Sequence, residues 1–117
     1  MLLQKHFVIL HLLVEFASTK RTEEELKDAF VDEWGVKYSK DGRKLLAVQG
    51  VLNGAYSVKE GTRIICDCAF SFCSSLSEIV IPSSVTSIGD SAFYNCKFPD
   101  NLKQELISRF GDKVFCF

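Results

Sequence analysis

The stretch IPSSVTSIGDSAFYNC, residues 81–96, decides the fold because its apolar residues follow neither the period of a helix nor that of a regular strand. A shift of 23 positions, from residue 58 to residue 81, aligns it with VKEGTRIICDCAFSFC, residues 58–73. The aligned identities are Ile65 with Ile88, Asp67 with Asp90, Ala69 with Ala92, Phe70 with Phe93, and Cys73 with Cys96. A repeat of this length is typical of units that stack coil upon coil.

Each unit predicts a short strand, a bend and a return segment. In the second unit the bend falls at Pro82 to Ser84, because proline and serine suit turns. Aspartate recurs at Asp67 and Asp90, where we expect its carboxylate to accept hydrogen bonds from backbone amides of the turn. The side chains expected to point into the core are Ile79, Ile81, Val85, Ile88, Ala92 and Phe93.

These residues identify a family resemblance. The segment LSEIVIPSSVTSIGDSAFYNC, with the weaker YSVKEGTRIICDCAFSFCSSL before it, resembles the BspA-like leucine-rich repeats from Tyr56 to Cys96. YSKDGRKLLAV is similar to the hairpin that often precedes such repeats, and PDNLKQELISRFGDKVF to a helical end-piece. The resemblance implies a solenoid that binds other proteins or extracellular matrix at the cell surface or after secretion. It implies no catalytic residues.

The flanks are expected to cap the stack, since repeats of this kind usually need about three units for stability and only two are clear here. Thr22 and Glu25 form a capping box, and Gly35 suits a helix end. The apolar face between them consists of Leu26, Ala29, Phe30 and Trp34. We therefore predict a second helix that packs in a helical hairpin against an amino-terminal one.

The amino-terminal segment, Lys5 to Thr19, leaves three alternatives open: a packed helix, a secretory signal peptide or a membrane-surface helix. Its apolar run from Phe7 to Val14 is shorter than the roughly 20 residues that span a bilayer. His11 and Glu15 favour the packed helix. The location of the protein stays open with it: cytoplasmic if residues 1–19 are a retained helix, extracellular or cell-surface by the resemblance.

Two further elements flank the repeats. Asp41-Gly42 predicts a type I′ hairpin between strands at Val36 to Ser39 and Lys44 to Val48, and Asn53-Gly54 a turn before a strand at Ala55 to Val58. After the repeats, Asp100 or Asn101 is expected to cap a helix that Gly111 ends. The expected inward residues of this helix are Leu102, Leu106, Ile107 and Phe110, and Val114 to Phe117 is expected to form an extended tail.

The predicted fold class is therefore α+β: a short leucine-rich-repeat solenoid of two strand-and-turn coils, capped by helices and a hairpin at one end and by a helix at the other. Residues 1–117 are interpreted as one domain. Its parts are a helical cap at 1–35, a hairpin at 36–54, two repeats at 55–98, and a helical cap with a tail at 99–117.

Composition and motifs exclude several function classes. The net charge is −1 and the basic residues are scattered, so the electrostatic footprint of nucleic-acid binding is missing. No dinucleotide-binding, phosphate-loop, zinc-protease or nucleophile-elbow motif occurs. We therefore predict no enzyme, no cofactor and no nucleic-acid partner, and find no firm sign of a membrane partner.

The chain has five cysteines, Cys66, Cys68, Cys73, Cys96 and Cys116. Their spacing is not that of a zinc site, and Cys73 and Cys96 are equivalent in the repeat, which favours buried packing thiols. Disulfides and metal binding stay open as alternatives, and Cys66 or Cys116 could be exposed and reactive in a secreted protein. A catalytic thiol needs a base, yet the histidines, His6 and His11, lie far away in sequence.

Strand alternation predicts a protein-binding face made of Ala55, Ser57, Lys59, Glu78 and Val80. Two strands about 4.8 Å apart give a narrow surface against the roughly 800 Å² that one partner usually contributes. The leading hypothesis is a non-catalytic protein-interaction module. The alternatives are a minimal repeat domain that acts as a structural or oligomerisation unit, with a homo-oligomer as its partner state, and a thiol enzyme or metal binder.

Overall fold

The computed structural model describes residues 18–116, so the expectations for residues 1–17 and for Phe117 lie outside the described residues. Its helices are α1 (Glu23–Lys27) and α2 (Asp100–Phe110), with a 3-10 turn at Asp112–Val114. Its strands are β1 (Phe30–Val31), β2 (Val36–Tyr38), β3 (Lys44–Val48), β4 (Gly54–Ser57), β5 (Ile64–Ile65), β6 (Leu76–Val80) and β7 (Ser87–Ile88). Neither helix in this part of the chain has the length and apolar character of a membrane span.

The described strands form two sheets. One has the order β1-β2-β3-β5-β7, in which β1 to β3 are antiparallel and β3, β5 and β7 are parallel. The other is the parallel pair of β4 and β6. Ala55 pairs with Glu78 and Ile65 pairs with Ile88, so each of these contacts joins aligned positions of the two units. The chain thus forms a small mixed helix-and-strand domain.

The turns of the two units share one backbone conformation. Cys68 and Ser91 have φ angles of 58° and 60°, and Phe72 and Asn95 have φ angles of 65° and 64°. The N–H groups of Cys68 and Phe72 donate to carbonyl oxygens of the second unit at 3.0 and 2.7 Å. Backbone hydrogen bonds of the turns therefore run between the units and hold them together.

The main core draws side chains from both sheets. The rings of Phe70 and Phe93 stack with their centroids 5.6 Å apart, and Phe93 contacts Phe115 at 5.8 Å. Of the side chains predicted to point inward, Ile79, Val85, Ile88, Ala92 and Phe93 are buried, and Ile81 is half-buried. Since each buried aliphatic or aromatic side chain contributes roughly 1.5–3 kcal/mol, the repeat positions supply much of the hydrophobic stabilisation.

The carboxyl-terminal segment differs from the sequence prediction in two details. The N-cap of α2 is Pro99, which makes no side-chain capping bond, so the prediction of Asp100 or Asn101 as the cap is wrong. The prediction of an extended tail from Val114 is wrong for Val114 and Phe115, because Asp112–Val114 form a 3-10 turn that Phe115 ends. In that turn the carbonyl oxygens of Lys113 and Val114 accept the N–H groups of Ser91 and Phe93 at 2.8 and 2.7 Å, which explains why the segment bends rather than extends.

The segment from Thr22 to Gly35 differs more strongly from the helix that the sequence predicts. The Thr22 capping box is present, but α1 ends at Lys27, and Phe30–Val31 is a strand rather than a helical turn. Phe30 pairs with Tyr38 and stacks on its ring at 5.5 Å. The Asp32 carboxylate then accepts the N–H of Val36 at 2.9 Å. These contacts favour a strand and a turn over a continued helix, and they leave Trp34 60% exposed.

The predicted hairpin is present as β2 and β3, which pair antiparallel. Its turn differs from the prediction, because type I′ needs positive φ angles at both central residues. Gly42 has a φ angle of 76°, whereas Asp41 is not among the residues with positive φ. The N–H of Ser39 donates to the carbonyl of Lys44 at 2.8 Å, so the loop is longer than the two residues of a type I′ hairpin. β3 then pairs with β5, so the hairpin extends the sheet of the repeats.

Candidate functional site

The outward side chains of β4 and β6 form a surface that we name the strand face: Ala55, Ser57, Glu78 and Val80. All of them are exposed, because alternate residues of each strand point away from the core. Ala55 lies beside Glu78 and Ser57 beside Val80 in the register of the two strands. The face is therefore continuous, mostly small or polar, with one large apolar group at Val80, which is 54% exposed.

Lys59, the other residue predicted for this surface, is directed elsewhere. It follows β4 and is exposed, but its ammonium lies 4.7 Å from the ring centroid of Phe30. Its backbone N–H donates to Tyr38 Oη at 3.1 Å. The structure thus brings four of the five predicted residues together and associates Lys59 with β1 and β2.

A groove borders the strand face and was not predicted. This edge groove is lined by residues 77–79 of β6 and by Pro99, Asn101, Leu102 and Glu105 at the start of α2. Residues 99–103 align with β6 of the preceding unit, but the chain enters a helix there instead of forming another strand. The alignment of Pro99 with Leu76 was the signal that could have revealed the groove, because proline suits the start of a helix and cannot donate in a sheet.

The edge groove is acidic. Glu78 and Glu105 both line it, and no Lys or Arg is among the described residues that line it. Neither glutamate belongs to an ion pair with another residue of the described range. The nearby Lys103 places its ammonium 5.5 Å from the ring centroid of Phe115. The groove therefore presents two carboxylates that form no ion pair with another described residue.

A second groove lies between α1 and the hairpin loop. Its charged lining residues are Glu24, Glu25, Asp28, Asp41, Lys40, Arg43, Lys44 and Arg63. The largely buried ammonium of Lys44 lies 3.1 Å from the Glu25 carboxylate. Because four acidic and four basic residues line this groove, neither charge is in excess there.

Two buried tyrosines form a hydrogen-bonded chain that spans three elements. The Oη atoms of Tyr38 and Tyr56 are 2.6 Å apart, and Tyr56 donates to Asp32 Oδ2 at 2.6 Å. Burial raises the pKa of Tyr56, and its hydrogen bond to Asp32 acts in the same direction. Burial also raises the pKa of Tyr38. Both phenols therefore stay protonated at neutral pH, which suits a structural bridge better than a catalytic base.

All five cysteines are free thiols. Cys66 is fully buried, so the expectation that it could be exposed is wrong, while Cys116 is exposed. Burial raises the pKa of Cys66 to about 11 and that of Cys96 to about 12, and Cys73 adds to the effect at Cys96. Such thiols are poor nucleophiles at neutral pH. Within residues 18–116, no group of three or more His, Cys, Asp or Glu side chains is arranged to hold a metal ion.

Comparison with known proteins agrees with this geometry. Residues 55–117 match the family described as BspA type Leucine rich repeat region (6 copies). Among solved structures, the crystal structure of the pneumococcal vaccine antigen PcpA is similar, with a TM-score of 0.53 and 22% sequence identity. The similarity covers 61% of this chain and 19% of that antigen, and it concerns the fold. No curated protein sequence matches. Because the family match spans more than half of the chain, the protein belongs to the BspA-type leucine-rich repeat family.

Proposed function

We propose that the protein is a non-catalytic repeat module that binds another protein, and that the strand face with the edge groove forms its contact surface. Membership of the BspA-type family supports the proposal. The fold shared with a vaccine antigen is consistent with it. More specifically, the proposal is that the repeats form a short solenoid of 23-residue period and that the module adheres to a cell or matrix surface.

The observation that carries this proposal is the outward, uncovered position of Ala55, Ser57, Glu78 and Val80 on two neighbouring strands. The strand face is narrow, but the edge groove continues it toward α2 through Glu78, which belongs to both. A partner that uses the two together contacts a wider surface than the strand face alone offers.

The experiment is binding of the purified chain to an immobilised panel of extracellular matrix proteins. We expect at least one to bind the wild type, and Ala55→Arg to weaken that binding, because the long side chain blocks the strand face. Lys40→Ala, in the groove beside α1, is the matched control and should bind as the wild type does. Absence of binding, or equal loss in both variants, argues against the proposal.

A specific observation favours a second function, that of an oligomerisation unit. Large apolar side chains are exposed at Phe30 and Val31 of β1, at Trp34 in the turn that follows, and at Val51 in the loop before β4. In this case the molar mass measured by light scattering rises with concentration, and Trp34→Ser reduces the rise. A constant monomer mass leaves the interaction module as the better explanation.

A further inference from the structure

The strand β6 has a strand neighbour on one side only. β4 pairs with it in parallel, and within residues 18–116 no strand pairs with its other edge. That outer edge faces the first turn of α2 across the edge groove. An unpaired edge presents backbone N–H and C=O groups that can bond to an added strand.

The groove stands where another strand of the stack would be placed. Residues 99–103 lie 23 positions after β6, where a further repeat would have a strand, but they begin α2 instead. The backbone bonds that cover the second unit come from the carbonyl oxygens of Lys113 and Val114, further along the chain. The hydrophobic core is thereby closed while the edge of β6 stays open. Ile79 and Leu102 give the groove an apolar floor, since Ile79 is buried and Leu102 is half-buried.

We propose that the edge groove accepts an extended peptide segment of a partner protein, which pairs as a strand with the outer edge of β6 and places a Lys or Arg side chain between Glu78 and Glu105. The backbone bonds supply affinity, as in other cases of strand addition, and the two carboxylates select the basic side chain. The proposal rests on the proposed function and names the chemistry of the partner.

The charge pattern selects this occupant among extended segments. Both titratable groups that line the groove are glutamates, and Lys103 is engaged at the ring of Phe115. An acidic or neutral strand leaves the two carboxylates without a partner, whereas a basic one forms charge-assisted hydrogen bonds. Because the groove is open to solvent, added salt should weaken the contact.

The test uses a phage-displayed library of random nine-residue peptides, selected on the full chain. We expect enriched sequences to combine β-branched residues with at least one Lys or Arg. As synthetic peptides they should bind E78Q/E105Q about tenfold more weakly, as the loss of one charge-assisted bond predicts. Glu33→Gln, an exposed control in the turn after β1, should bind unchanged, and bound peptide should slow amide exchange in residues 76–80.

The inference is overturned if no sequence is enriched, if enriched peptides lack basic residues, or if E78Q/E105Q binds them as the wild type does. It is also overturned if amide exchange of β6 does not change. The proposed function fails separately, when no matrix protein binds or when Ala55→Arg leaves the binding of a matrix protein intact. A matrix protein that is sensitive to Ala55→Arg but not to Glu105→Gln leaves the function standing and removes the strand-addition mode.

Discussion

The backbone N–H of Asp90 donates a 2.9 Å hydrogen bond to Oδ1 of Asp67, the residue 23 positions earlier in the chain. The same carboxylate oxygen accepts the hydroxyl of Thr19 at 2.8 Å. The recurring aspartate therefore links units rather than closing its own turn. The carboxylate of Asp90 lies 4.0 Å from the ammonium of Lys113, in the 3-10 turn Asp112–Val114, which we call the capping segment.

This contact leaves no room for a side chain at Gly89. A Cβ built there lies 2.1 Å from Asp67 Oδ1 and 2.5 Å from the backbone nitrogen of Asp67. Gly89→Ala must push the two units apart, and we expect it to lower the free energy of unfolding by about 2 kcal/mol or more. Urea denaturation measures the change. Ser83→Ala, at an exposed position, should stay within about 0.5 kcal/mol, and an equally mild Gly89→Ala contradicts the packing described.

The left-handed conformation of Cys68 predicts that a substitution can raise the free energy of unfolding. Its φ angle of 58° is strained for most side chains, whereas asparagine tolerates it. Cys68→Asn should raise the free energy of unfolding by up to about 1 kcal/mol, a part of the roughly 1–2 kcal/mol that the left-handed conformation costs other residues. Cys68→Val should lower it, since a β-branched side chain suits this region least. Thermal unfolding of the two variants should move the midpoint to opposite sides of the wild type, and a shift in the same direction argues against the turn geometry.

The bridge between Tyr38, Tyr56 and Asp32 should be visible in stability. Tyr56→Phe removes the hydroxyl that donates to Asp32, and leaves the Tyr38 hydroxyl without this partner. We expect a loss of about 1–3 kcal/mol in the free energy of unfolding. In a double-mutant cycle with Tyr38→Phe, the coupling energy should be at least about 0.5 kcal/mol. Additive losses mean that the two phenols do not act together.

The same residues predict a loss of stability in alkali. The pKa values of Tyr38 and Tyr56 are raised in the folded state, so the two phenols contribute fully below the ordinary tyrosine pKa and less as the pH rises above about 10. Buried Cys66 and Cys96 act in the same direction from about pH 9. Above pH 10, Tyr56→Phe should reduce the slope of stability with pH by about 1.4 kcal/mol per pH unit. An unchanged slope contradicts a buried Tyr56 hydroxyl.

The capping segment gives a further test. Val114 is fully buried, and its carbonyl accepts the N–H of Phe93 where a following unit would bond. Val114→Ala should cost about 2 kcal/mol in urea denaturation through lost burial and the cavity that remains. Lys113→Ala keeps the backbone bonds and should cost less than about 0.5 kcal/mol. Similar costs for the two variants indicate that the segment does not close the core.

The repeat made much of the fold predictable, because Phe70 with Phe93 and Ile65 with Ile88 stand at equal offsets and pack as equal positions. The prediction of a helix that continues through Phe30 was wrong. Its apolar spacing is helical, but the stacking on Tyr38 and the Asp32 turn come from contacts that spacing does not encode. The Asp32 to Trp34 turn had one local signal, an aspartate that can accept amides two residues ahead.

The candidate site was predictable to a similar extent. Alternation along β4 and β6 placed Ala55, Ser57, Glu78 and Val80 outside, as the structure has them. Alternation did not predict the position of Lys59, because Lys59 lies after the end of β4 and its long side chain contacts the ring of Phe30. The edge groove depends on how α2 is placed beside β6, which is a tertiary relationship.

The most direct test of the interaction module compares two exposed valines. Val80 lies on the strand face and Val51 lies in the loop before β4, 54% and 80% exposed respectively. The measurement is the Kd of the most tightly bound matrix protein for Val80→Glu and for Val51→Glu. The proposed function predicts at least about a tenfold weaker Kd for Val80→Glu, since a buried charge without a partner costs more than 1.4 kcal/mol, and no change for Val51→Glu. Equal Kd values for the two variants contradict the strand face as the binding surface.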